Sequence, residues 1–175
     1  MKHLISTLFI LFLFIESPGQ LLEQREGYVP VEGGRIWYKV VGTGKGVPLL
    51  LIHGGPGGRS CSGIPATPCL ATKDKSFFYD QLGSGNSDRT TDTTLWRLSH
   101  FVDEVDALRN ALGLKEVNIL GHSWGATVAV EYMLTKKPTG VKSVIFAGPL
   151  LSTPVWMKDA QILLSQLPPA VQGHY

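Results

Sequence analysis

Apolar residues along this chain fall into distinct patterns. Pro48 to Ile52 is a continuous apolar run with the length and composition of a strand buried on both faces of a parallel sheet, and Val117 to Leu120, apolar apart from Asn118, reads as a second short buried strand. Ser76 to Asp80 and Val141 to Ala147 predict two more strands. Leu98, Phe101, Val102, Val105, Leu108 and Leu112 recur at helical spacing, with Gly113 as the predicted stop. A second helix is predicted over Ala126 to Leu134, closed by Lys136-Lys137-Pro138. A third, amphipathic one is predicted over Trp156 to Leu167, stopped by Pro168-Pro169. Ahead of these, Gly27 to Val31 and Arg35 to Val41 are β-rich and flank Gly33-Gly34, the pattern of a hairpin. Arg59 to Lys75 has no period and reads as a long loop. Strands alternating with helices predict an α/β fold with a doubly wound, mostly parallel sheet.

The N-terminus has a different character. Met1-Lys2-His3 is a short basic start, and Leu4 to Ile15 is apolar apart from Ser6 and Thr7. Ser17 and Gly19 are small residues placed for cleavage before Gln20. This is the pattern of a secretory signal spanning residues 1–19. Its apolar stretch is shorter than the roughly 20 residues a membrane-spanning helix needs. The mature protein is therefore expected to be exported, periplasmic or secreted, with no stable membrane insertion. A formal charge of +2 over 175 residues argues against a nucleic-acid partner. An exported protein permits a disulfide, so Cys61 and Cys69 are compatible with a short-loop bridge or with two free thiols. Neither has a histidine at metal-ligand spacing, and no metal or cofactor is expected.

The chemistry concentrates where the Val117 to Leu120 strand runs into Gly121-His122-Ser123-Trp124-Gly125. A Gly-x-Ser-x-Gly turn between strand and helix is the nucleophile elbow of an α/β-hydrolase, so tight that small residues are needed on either side of the serine. Ser123 is the candidate nucleophile, with Gly121 and Gly125 as the elbow glycines. His53 and Gly54, at the end of the Pro48 to Ile52 strand, open the candidate oxyanion loop. The backbone N–H groups of Gly55 and Trp124 are the candidate oxyanion donors. Two other glycine-rich segments carry no comparable signal. Gly42 to Gly46 lacks the spacing of a phosphate-binding loop, and Asp88 replaces the third glycine that Gly83 to Asp88 would need as a dinucleotide site. In this fold the triad acid and histidine follow the serine. His53, His100 and His122 all precede Ser123. Only Asp159 and His174, both in the tail, follow Glu131, and neither makes a convincing triad member.

Three segments together resemble the proline iminopeptidase family. His53-Gly54-Gly55-Pro56-Gly57 resembles its HGGPG signature, Tyr79 to Ser87 its DQxGxGxS segment, and Gly121 to Ala126 its GxSWG elbow. The resemblance runs from about Tyr28 to about Leu167. It implies a serine aminopeptidase that removes N-terminal residues, often proline, from small peptides through an acyl-enzyme. It also implies that residues 20–150 are the N-terminal part of the hydrolase core and that 151–175 begin a helical cap. The triad acid and base have no matching positions and are expected beyond Tyr175. The 175-residue chain alone is accordingly expected to be nearly inert. Two other readings stay open: an esterase or lactonase built on the same elbow, and an inactive remnant or binding module.

Overall fold

A computed structural model describes residues 25–60 and 74–172. The expected signal, Cys61, Cys69 and His174 lie outside the described residues. The two β-rich segments form a hairpin of β1 (Arg25–Val31) and β2 (Gly34–Val41), paired antiparallel with Val31 opposite Gly34. Then come β3 (Leu49–Ile52) and β4 (Ser76–Tyr79). Helix α1 (Leu98–Ala111), strand β5 (Val117–His122), helix α2 (Trp124–Lys136), strand β6 (Val141–Ala147) and helix α3 (Thr153–Ser165) follow. A single turn, α4 (Pro169–Gln172), comes last.

The six strands make one sheet in the order β1-β2-β4-β3-β5-β6. β4, β3, β5 and β6 run parallel, and β2 joins β4 antiparallel. The sheet is therefore mostly parallel, as the alternation of strands and helices predicts. All four residues of β4 are buried, as are the last three of β3, because helices or loops must cover both faces of a parallel sheet. Leu50, Ile52, Phe77, Tyr79, Val117 and Ile119 share the main core with Phe101, Val105 and Leu108 of α1 and Val128, Ala129 and Tyr132 of α2. The alternate positions Leu51, Phe78 and Leu120 form a smaller cluster. This period of two is what the strand geometry requires. Among the described residues β6 pairs on one side only, with β5, and its Ile145 and Phe146 are exposed.

The structure corrects two local expectations and adds one short element. Helix α2 begins at Trp124, not Ala126, so the helix starts directly from the serine. Helix α3 ends at Ser165, and Pro169 opens α4 instead of only stopping what precedes it; proline suits a first helical position because its missing N–H has no partner there. A 3-10 turn at Thr93–Leu95, capped by the Asp92 side chain, precedes α1 and buries Leu95.

Candidate active site

The parallel strands β3, β4 and β5 all end at the same edge, so the loops that leave them meet above it. Ligands in open α/β sheets bind at this carboxyl edge. Three loops converge there: His53 to Ser60 after β3, Asp80 to Asp88 after β4, and the elbow after β5.

Ser123 sits between β5 and α2 at φ 51° and ψ −115°. A non-glycine residue at positive φ is uncommon, and this ψ lies outside the left-handed helical well, so the position is strained. Its neighbours hold it there. The Ser123 N–H donates to the Ala147 carbonyl of β6 at 2.9 Å, and its own carbonyl accepts from the Ala126 N–H at 3.0 Å. A serine before a helix ordinarily caps it with the hydroxyl. Here the side chain makes no cap bond. Oγ is thus left available at the positive end of the α2 dipole.

The elbow glycines are there for space. A Cβ on Gly125 would lie 2.1 Å from the Ile52 carbonyl oxygen and 2.6 Å from that of His53. One on Gly121 would lie 2.6 Å from the Ala126 Cα. The first turn of α2 therefore rests directly on the backbone at the end of β3. Gly54 brings the β3 loop to Ser123: its Cβ would be 3.2 Å from the Ser123 Cβ and 2.9 Å from Nδ1 of His122. Among the described residues no hydrogen bond takes up the backbone N–H of Gly55 or of Trp124. Gly55 joins Pro56 through a cis peptide.

His53 is buried, and both ring nitrogens are engaged. Nε2 accepts from the Gln81 N–H at 3.0 Å, so it carries no proton, and Nδ1–H donates to the Gly54 carbonyl at 2.6 Å. Burial pushes this imidazole below its ordinary pKa, partly opposed by the Gly54 carbonyl and Asp80. His53 therefore holds the loop as a neutral ring. His100 is buried on α1, with Nε2 3.2 Å from Oε1 of Glu104. Asp159 lies exposed on α3.

The loop after β4 braces this arrangement. Asp80 accepts from the N–H and hydroxyl of Ser60 and from the Asn86 N–H, each at 2.8 Å. Ser87 donates to the Asp80 carbonyl at 2.5 Å and accepts from the Trp37 N–H at 2.8 Å. The Leu82 N–H donates to Glu104 Oε1 at 3.1 Å. Gln81 binds both His53 and Trp124. The sequence pattern marks this segment, but it does not assign these side chains a task. Their burial as polar residues in a loop is the signal, and it appears only once the chain is folded.

A family model described as alpha/beta hydrolase fold matches residues 47–174. The proline iminopeptidase of Heyndrickxia coagulans is 51% identical over 148 residues, covering 84% of this chain and 51% of that protein. The proline iminopeptidase of Clostridium botulinum is 35% identical over 150 residues, again 84% of this chain and 51% of the relative. The crystal structure of the Mycobacterium smegmatis proline iminopeptidase superposes with a TM-score of 0.76 at 30% identity, covering 85% of this chain and 52% of that one. The chain thus spans about half the length of the curated relatives it matches. With the elbow, the loop against it and the sheet order in agreement, the chain belongs to the alpha/beta hydrolase fold family, and it matches the N-terminal portion of proline iminopeptidases.

Proposed function

We propose that this chain supplies the nucleophile and oxyanion half of an exported serine aminopeptidase that releases N-terminal residues, proline favoured, from small peptides. The observation that carries the reading is Ser123 held at φ 51° on the strand-to-helix turn, with Gly54 packed against it. Ser123 Oγ attacks the scissile carbonyl carbon while a base takes its proton. The oxyanion is held by the N–H groups of Gly55 and Trp124. The peptide amine then leaves with the proton, and water hydrolyses the acyl-enzyme. The orienting acid and the base come from residues outside those described. The high identity to proline iminopeptidases supports the substrate class.

The test uses the intact native protein with a prolyl-arylamide and, in parallel, short acyl esters. Ser123→Ala should lower turnover of the arylamide at least about 1000-fold. Near-normal turnover by that variant refutes the nucleophile. Strong preference for the esters replaces the peptidase reading with an esterase one. Export is tested separately: the mature N-terminus should be Gln20, and a native protein that still begins at Met1 contradicts the signal.

A further inference from the structure

Gln81 has no place in the chemistry described above, yet it is among the most thoroughly bonded side chains near Ser123. It is 1% exposed. Its Nε2 donates to the His53 carbonyl at 3.1 Å, and its Oε1 accepts from Nε1–H of Trp124 at 3.2 Å. The chemistry of the partners fixes the amide's orientation. An indole nitrogen only donates and a carbonyl only accepts, so the two ends of the amide are not interchangeable. The backbone contributes as well: the Gln81 N–H donates to Nε2 of His53 at 3.0 Å and so selects the tautomer whose Nδ1–H holds the Gly54 carbonyl. The Gln81 carbonyl is held in turn by Ser84, through its hydroxyl at 2.7 Å and its N–H at 3.0 Å.

His53 leads into the loop that carries Gly55, and Trp124 follows Ser123. These are the two segments that bear the proposed oxyanion donors. We infer that Gln81 is a positioning residue that sets the distance between those donors by bridging His53 and Trp124 with one planar amide. This rests on the nucleophile and oxyanion reading above. An oxyanion site works only where both donors lie within hydrogen-bond reach of a single developing charge. The bridge spans loops that come from β3, β4 and β5, and no covalent connection shorter than 28 residues joins Gln81 to either partner. A clamp of this kind acts on the transition state, where the charge appears, more than on substrate binding.

Three variants of the intact protein, assayed on a prolyl-arylamide, test the inference. Gln81→Met removes both side-chain bonds at similar volume. Trp124→Phe removes only the link to Trp124 and keeps a ring in place. Gln81→Glu keeps an acceptor for Trp124 but sets a carboxylate against the His53 carbonyl. Gln81→Met should lower kcat about 100-fold, as an ångström-scale misplacement does, while KM changes by less than about threefold. Trp124→Phe should show the same split, with a smaller loss. Gln81→Glu should be impaired at alkaline pH and recover relative to the parent as pH falls, because a protonated carboxyl again offers one donor and one acceptor. Among the described residues, the titratable groups around this site include His53, Tyr79, Asp80, Glu104 and His122. All are common to parent and variant, so the ratio of the two pH profiles reports residue 81.

Parental kcat in Gln81→Met and Trp124→Phe, with Ser123→Ala inactive, would overturn the clamp and leave the nucleophile standing. Loss of kcat/KM carried entirely by KM, with no acid recovery in Gln81→Glu, would also overturn it. Full turnover by Ser123→Ala would instead remove the nucleophile, and the clamp would fall with it.

Discussion

Replacing Gly125 with alanine sets two physical effects against each other, and the structure decides the sign. Gly125 lies in the first turn of α2 and has no positive φ, so backbone preference alone predicts a gain of about 1 kcal/mol from alanine. The added methyl would sit 2.1 Å from the Ile52 carbonyl oxygen, 2.6 Å from the Ile52 carbonyl carbon and 2.6 Å from the His53 oxygen. All three are backbone atoms at or just past the end of β3, which is held between β4 and β5, and the His53 carbonyl is itself bound by the Gln81 amide, so none can rotate away. Ordinary contact needs roughly 3.4 Å or more, so α2 must withdraw from β3 by an ångström or so. Overpacking of this kind typically costs 1–3 kcal/mol, and with rigid backbone on both sides the upper end applies. The net expectation is a loss of about 2 kcal/mol once the propensity gain is subtracted. Urea denaturation should show a lower midpoint with an unchanged slope, which assigns the change to stability alone. Activity should fall further than stability, because Ser123 and Trp124 move with the helix. Gly113→Ala is the control: nothing lies within 4 Å of its Cβ position, so only the cost of φ +65° remains, about 1 kcal/mol. A Gly125→Ala protein as stable as the parent, or more stable, would refute the close approach of α2 to β3 on which the elbow depends.

Other consequences follow from the same geometry. Ser123→Gly should stabilise the protein by about 1 kcal/mol in the same denaturation assay while abolishing turnover, since glycine adopts positive φ without strain; a destabilised variant would show that the serine conformation is unstrained. Arg109 is buried and donates to the carbonyls of Leu114, Lys115 and Thr139 and to the Tyr132 hydroxyl. Arg109→Lys cannot reproduce that fork and should cost about 2 kcal/mol, so an unchanged melting temperature would contradict its role in tying α1 to the end of α2. His53 has its folded pKa below the ordinary value of 6.5 because of burial. The unfolded chain therefore binds the proton first as pH falls, and this residue's contribution to stability declines from about neutrality downward. His53→Gln should flatten that part of the stability profile, and an identical profile would assign the acid sensitivity elsewhere.

The sheet and its two core helices were legible because their signals are local. Leu49 to Ile52 is a continuous apolar run, Val117 to Leu120 is apolar apart from Asn118, and α1 keeps an unbroken helical period. The elbow was legible for a related reason: its steric demand falls on residues two apart, so it leaves a short motif. The hidden features depend on contacts distant in sequence. The partners of the Gln81 side chain are 28 and 43 residues away, and those of Arg109 in α2 and the turn before β6 are 23 and 30 away. The DQxGxGxS pattern marks Gln81 without giving its partners, and nothing near Arg109 announces that it will be buried. The start of α2 was misplaced by two residues because Trp124 and Gly125 have weak helix preference, which the tertiary fit against β3 overrides. Pro168-Pro169 signals a helix stop in the sequence, but proline serves equally well to begin a helix, as Pro169 does.

The central claim is that Ser123 forms the covalent intermediate. The most direct measurement is to treat the intact native protein with a fluorophosphonate and locate the adduct by peptide mass spectrometry. The account predicts one modified residue, Ser123, on the peptide that joins β5 to α2, no adduct in Ser123→Ala, and loss of prolyl-arylamide turnover in step with labelling. Full turnover by protein left unlabelled at Ser123, or an adduct on another residue that tracks the loss of activity, would contradict it.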